Sequence, residues 1–144
     1  MQKIITTTAL VFAGALLFTG CATSSGSDSA SGDDCEVVRV AVRDISNGAQ
    51  NAIVSSAEQA ALLERLDDYS QRVDELAADN ADDADLVKAL DGLQDKITAA
   101  EEYAATLPTE APATPEESTV DPEAQATASG DIQTAAVAVT EVCK

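Results

Sequence analysis

The chain has 144 residues, of which 26 are acidic and 8 basic, giving a net charge of −18, and it contains no histidine or tryptophan. A surface this acidic repels nucleic acid and anionic lipid headgroups. The missing histidine removes Ser-His-Asp and Cys-His catalysis and imidazole metal sites.

At the N-terminus, Lys3 precedes the apolar run Ala9-Leu10-Val11-Phe12-Ala13-Gly14-Ala15-Leu16-Leu17-Phe18. A transmembrane helix needs about 20 apolar residues, so this run fits a signal-peptide core instead. Small residues and a cysteine close it, Thr19-Gly20-Cys21. The segment Leu17-Phe18-Thr19-Gly20-Cys21 resembles the lipobox of bacterial lipoproteins, with Phe18 where Leu, Val or Ile is usual. The resemblance implies that residues 1–20 are a signal peptide cleaved before Cys21. It also implies that Cys21 is acylated and holds the protein to the cell membrane on its extracytoplasmic side. An ordinary secretory signal with an incidental cysteine is the alternative. Residues 21–34 are rich in Ser and Gly and read as a flexible tether. Cleavage removes Lys3 and no acid, so the mature chain is more acidic still, and its only aromatics are Tyr69 and Tyr103. Its core must come from Val, Leu, Ile and Ala.

Residues 35–107 read as a helical hairpin. Asp33 and Glu36 have the spacing of a capping box, and Val38, Val42 and Ile45 follow at helical intervals. Gly48 marks a kink or short break. Leu62, Leu66, Tyr69, Val73 and Leu76 continue an amphipathic stripe to about Ala78. One helix over 35–78 would span about 65 Å, and a second over 82–107 about 38 Å. The polar turn between them makes the two antiparallel, with Asp82 expected to cap the second. The second stripe, Leu86, Leu90, Leu93, Ile97, Ala100, Ala104 and Leu107, is the most regular, and Pro108 stops it. Ala49, Ala52, Ser56 and Gln59 form a small-residue seam, read as core or as a surface for a partner helix.

Residues 108–120 hold three of the four prolines and read as a linker. Asp121-Pro122-Glu123 then has the pattern of a cap with proline at the first helical position, opening a C-terminal helix within 121–144. Ile132, Ala135, Val139 and Val142 are its stripe. Val37 to Arg43 and Ala136 to Val139 also alternate with period two, as strands would. A lone two-stranded ribbon is only marginally stable, and helix is favoured. With Cys21 acylated, Cys35 and Cys143 remain, and in an oxidising compartment they are expected to form a disulfide, two free thiols being the alternative. A closed loop of about 100 residues is stabilised by about 4–5 kcal/mol in the chain-entropy model. The expected fold is therefore all-α: an antiparallel hairpin or three-helix bundle with a Pro-rich linker, its ends tied by a disulfide.

No catalytic or metal-binding residue is assigned, and no cofactor. The pairs Asp67-Asp68, Asp82-Asp83 and Glu101-Glu102 fall on solvent faces or in turns. Asp79, Asn80, Asp82, Asp83 and Asp85 lack the glycine and distal glutamate of an EF-hand loop. The plan of lipobox, seryl start, heptads and terminal Lys144 resembles the murein-lipoprotein type, in which that lysine is joined to peptidoglycan. A looser similarity is to small helical envelope lipoproteins of actinobacteria. The expected function is a non-enzymatic, lipid-anchored envelope protein acting by protein contact, as an accessory subunit of a membrane complex. The alternatives are a calcium- or small-ligand-binding module and a peptidoglycan-linked structural lipoprotein.

Overall fold

The structure is a computed structural model that describes residues 30–110, 113 and 120–143. The expected leader, Cys21, most of the tether and Lys144 lie outside the described residues. Those described form four helices and no strand: α1 (Ala30–Ser55), α2 (Gln59–Asp79), α3 (Ala84–Ala104) and α4 (Pro122–Val142). α1 packs on α2 and α4, α3 packs on α2 and α4, and α1 meets α3 only slightly across the centre. Short turns make α1, α2 and α3 run alternately up and down. The Cys35–Cys143 disulfide sets the end of α4 against the start of α1. The result is an up-down-up-down four-helix bundle.

Four helices arise because the long helix expected over 35–78 is two. The break falls at Ser56-Ala57-Glu58, and Gly48 lies inside α1. No Gly or Pro marks the break, but the apolar stripe changes phase there. From Ser56 to Leu62 a helix advances by about 600°, which leaves Leu62 about 120° off the face that Ser56 continues. A straight helix would expose one stripe or the other, whereas folding back buries both. Glu58 adopts extended backbone, and Gln59 N donates to Pro108 O at 2.9 Å, which ties this turn to the end of the α3 segment. Gly48 stays helical because the Tyr69 ring of α2 lies over it. A Cβ at Gly48 would stand 2.6 Å from Tyr69 Cε1 and closer still to Cζ and Oη.

The helix starts also differ by small steps. α1 begins at Ala30, so the tether ends earlier than expected and Asp33 lies within the first turns rather than at the cap. Asp83, not Asp82, caps α3, accepting from Leu86 N at 3.0 Å. Asp121 caps α4 as expected, accepting from Glu123 N at 2.9 Å and Ala124 N at 3.2 Å, with Pro122 at the first helical position.

The core is aliphatic. Val38, Val42, Ile45, Leu62, Leu66, Val73, Leu76, Leu86, Leu90, Leu93, Ile97, Ala100, Ala104, Leu107, Ile132 and Val139 are all buried, as their spacing predicts. Ala49, Ala52 and Ser56 are buried too, so that seam belongs to the core. Three stripe members depart from expectation. Tyr69 and Ala135 are half-buried, and Val142 is exposed, because Ala136 and Cys143 take the inward positions at that end of α4. Polar side chains cross all four adjacent helix pairs: Arg65 Nη1 to Ser55 Oγ at 3.3 Å, Gln94 Nε2 to Ser70 Oγ, Lys96 Nζ to Asp131 Oδ2 at 3.0 Å, and Gln125 Nε2 to Ile53 O at 3.0 Å.

Candidate functional site

The residues singled out from sequence meet at one pole of the bundle. Cys35 lies near the start of α1 and Cys143 just past the end of α4, with their Cα atoms 5.2 Å apart and their sulfurs bonded. Cys143 follows the inward positions Ile132, Ala136 and Val139 at 4-3-4 spacing, so its side chain turns into the core. Arg39 stands one turn after Cys35 on the same side of α1, and its guanidinium donates to Cys143 O. That carbonyl is among the orphan acceptors at the end of α4, where positive charge is favoured. Arg39 also pairs with Glu36 at 3.7 Å, an exposed contact that adds little. Sequence reading gave Arg39 no role, and its i+4 spacing from Cys35 is the only signal that places it beside the disulfide.

The α2–α3 turn closes the same pole. Asp34, Cys35, Val38, Asp79, Asn80, Asp82, Asp83, Leu86 and Cys143 line a cleft of about 280 Å³ there. Asp79, Asn80, Asp82 and Asp83 of the run weighed for calcium line this cleft, but Asp85 lines the α3–α4 groove instead, and Asp83 and Asn80 are otherwise engaged. Asp83 Oδ1 accepts from Leu86 N, and Asn80 Nδ2 donates to Leu76 O at 2.7 Å. Among the described residues no three Asp, Glu, Cys or His side chains are gathered to hold a metal ion. The pole is thus a covalent and hydrogen-bonded clasp, built to join helix ends.

At the opposite pole, Tyr103 of α3 packs against the start of α4. It is 6 % exposed, and its hydroxyl makes no hydrogen bond among the described residues. Gln125 stands beside it with Nε2 committed to Ile53 O. Burial pushes the Tyr103 phenol above its ordinary value, the Gln125 side chain opposing this and the Asp121 carboxylate adding to it. Sequence reading gave Tyr103 no role, since it falls beside the stripe rather than on it. Two shallow grooves run between α3 and α4. One is floored by Ala99, Ala124 and Ala128, the other by Ala89, Gly92, Ala135 and Ala138.

No described helix is long and apolar enough to cross a membrane. No family model matches the chain, and neither a curated protein nor a solved structure matches it.

Proposed function

We propose that this chain is a lipid-anchored protein of the bacterial cell envelope. It is held on the extracytoplasmic side of the membrane through acylated Cys21 and acts by protein contact rather than catalysis, as an accessory subunit of a membrane complex. The observation that carries this reading is the pairing of Cys35 with Cys143. It accounts for two of the three cysteines and leaves Cys21 as the third, directly after the apolar leader and within the lipobox-like segment. A disulfide tying the two ends of a domain suits an oxidising compartment. The Ser/Gly-rich stretch after Cys21 suits a tether that holds a domain off a bilayer. Acyl chains contribute about 0.8 kcal/mol per buried methylene, enough for stable attachment when two or more are present.

The peptidoglycan-linked reading is less favoured. Lys144 follows Cys143, whose bond to Cys35 returns the C-terminus to the end of the bundle where α1 begins. The calcium reading lacks gathered ligands among the described residues.

The test is the intact mass of the native protein from the producing cell. The expected species begins at Cys21, carries a diacylglyceryl group and lacks the two hydrogens of a disulfide. Cys21→Ser is expected to leave the membrane fraction. A full-length, unmodified product dissolved in the cytoplasm defeats the proposal.

A further inference from the structure

The disulfide is closed on one side and surrounded by charge on the other. Cys143 is 3 % exposed, whereas Cys35 is half-buried in the wall of the cleft at the clasp pole. Cys35 Sγ is therefore the sulfur that a dissolved reagent meets. Asp34, Asp79, Asp82 and Asp83 line that cleft with the two cysteines, and no cation does. All four are exposed, so their charges face the solvent that a reagent crosses. A neighbouring cleft of about 260 Å³ shares Asp34 and Asp79 and also has no cation in its walls. Glu36, next to Cys35, is a fifth exposed carboxylate, 3.7 Å from Arg39. Arg39 is one turn from Cys35, and its guanidinium is committed to Cys143 O and Glu36. Even with Lys144, next to Cys143 in sequence, carboxylates outnumber cations here five to two. α1 and α3 begin at this pole and α2 and α4 end there, so the helix dipoles cancel. The approach to Cys35 is left negative.

We propose that these carboxylates select the reductant of the Cys35–Cys143 bond, which a cationic thiol opens readily and an anionic thiol slowly. A thiolate of the reagent attacks Cys35 Sγ. A sulfur–sulfur bond forms between reagent and Cys35 as the Cys35–Cys143 bond breaks. The electron pair leaves on Cys143 Sγ, which takes a proton from water. Cys143 stays beside Cys35, so it reverses this step until a second thiolate attacks the reagent's own sulfur. That attack releases Cys35, which is protonated in turn, and the reagent departs as its disulfide. Two thiols have then supplied the two electrons. Both attacks occur in the same negative field, so the charge that a reagent carries beside its sulfur counts twice. Anionic small thiols are repelled at both steps and leave the bond closed. A reductant with positive charge beside its cysteine is drawn to it. This inference rests on the disulfide and not on acylation of Cys21, and its failure would leave the anchoring proposal standing.

Reduction of the full chain by cysteamine, 2-mercaptoethanol and 3-mercaptopropionate, which are a cation, a neutral molecule and an anion, tests it. Acid quenching and mass spectrometry follow the two added hydrogens. Rates are compared at equal thiolate concentration, each divided by that of the same thiol on an uncharged small disulfide, which removes differences in nucleophilicity. Cysteamine is expected to exceed 3-mercaptopropionate by more than about tenfold at low salt, with 2-mercaptoethanol between them. The spread is expected to collapse in about 1 M salt. Asp34→Asn with Asp79→Asn and Asp82→Asn is expected to shrink it to within about threefold. Asp83 is kept in that variant because it caps α3. Glu101→Gln with Glu102→Gln and Glu110→Gln removes equal charge at the opposite pole and is expected to leave the spread intact. Circular dichroism is expected to report native helicity for both variants. The proposal is overturned by equal rates at low salt, by a spread that the Asn substitutions do not move, or by one that the Gln substitutions shrink as much. A rate independent of which thiol is used also overturns it, since the bundle would then open before the bond is attacked.

Discussion

Individual side chains in this bundle act through what their neighbours can accommodate. The buried Tyr103 hydroxyl has no hydrogen-bond partner among the described residues, and a buried polar group left unpaired costs about 1–3 kcal/mol. Tyr103→Phe keeps the ring and removes that cost, so it is expected to stabilise the fold by about 1 kcal/mol in urea titration. The phenol also sets an alkaline limit. Its folded value is raised above the ordinary 10.0, so the folded state holds the proton more tightly than the unfolded chain. That contribution is complete below pH 10.0 and is lost as pH climbs from there through the higher folded value. Tyr103→Phe is expected to flatten the stability profile over that window. Gly48 and Tyr69 give a second test. Gly48→Ala alone pushes the Tyr69 ring aside and is expected to cost about 1 kcal/mol. In a Tyr69→Ala background the same substitution has room, and is expected to stabilise by about 0.5–1 kcal/mol through helix propensity. Thermal melts of the four proteins of this cycle would show the reversal of sign.

At the scale of the helices, caps and phase decide where each begins and ends. Asp82 and Asp83 are adjacent carboxylates at the start of α3, yet only Asp83 bonds the Leu86 amide. Asp83→Ala is therefore expected to cost about 1 kcal/mol and Asp82→Ala only a few tenths, measured by chemical denaturation. Asp121 with Pro122 was legible because the proline fixes which residue is the cap. Asp82 and Asp83 have no such marker, and a cap is chosen by backbone geometry that residue type does not specify. The turn at residues 56–58 lacked Gly and Pro, and its signal was the phase change of the apolar stripe. Gly48 drew attention as a breaker, but packing against Tyr69 makes a glycine necessary inside a continuous helix.

For the whole molecule, the disulfide closes a bundle whose first and last helices are far apart in sequence. Its removal is expected to lower stability by up to about 4–5 kcal/mol, with the loss concentrated where α1 and α4 meet. Hydrogen exchange with and without reductant checks this. The segments Val38–Ile45 and Ala136–Val142 are expected to lose protection first, while α2 and α3, joined by a short turn, keep theirs. Equal protection in both states would contradict the packing of α1 on α4. The sequence by itself determined the helical class, the aliphatic stripes, the cap of α4 and the cysteines available to join the ends. Each of these follows from local spacing and residue chemistry along the chain. Tertiary structure alone decided that the bundle has four helices rather than three and that Gly48 serves Tyr69. These depend on which surfaces are buried together, and burial is a property of the packed molecule rather than of any segment.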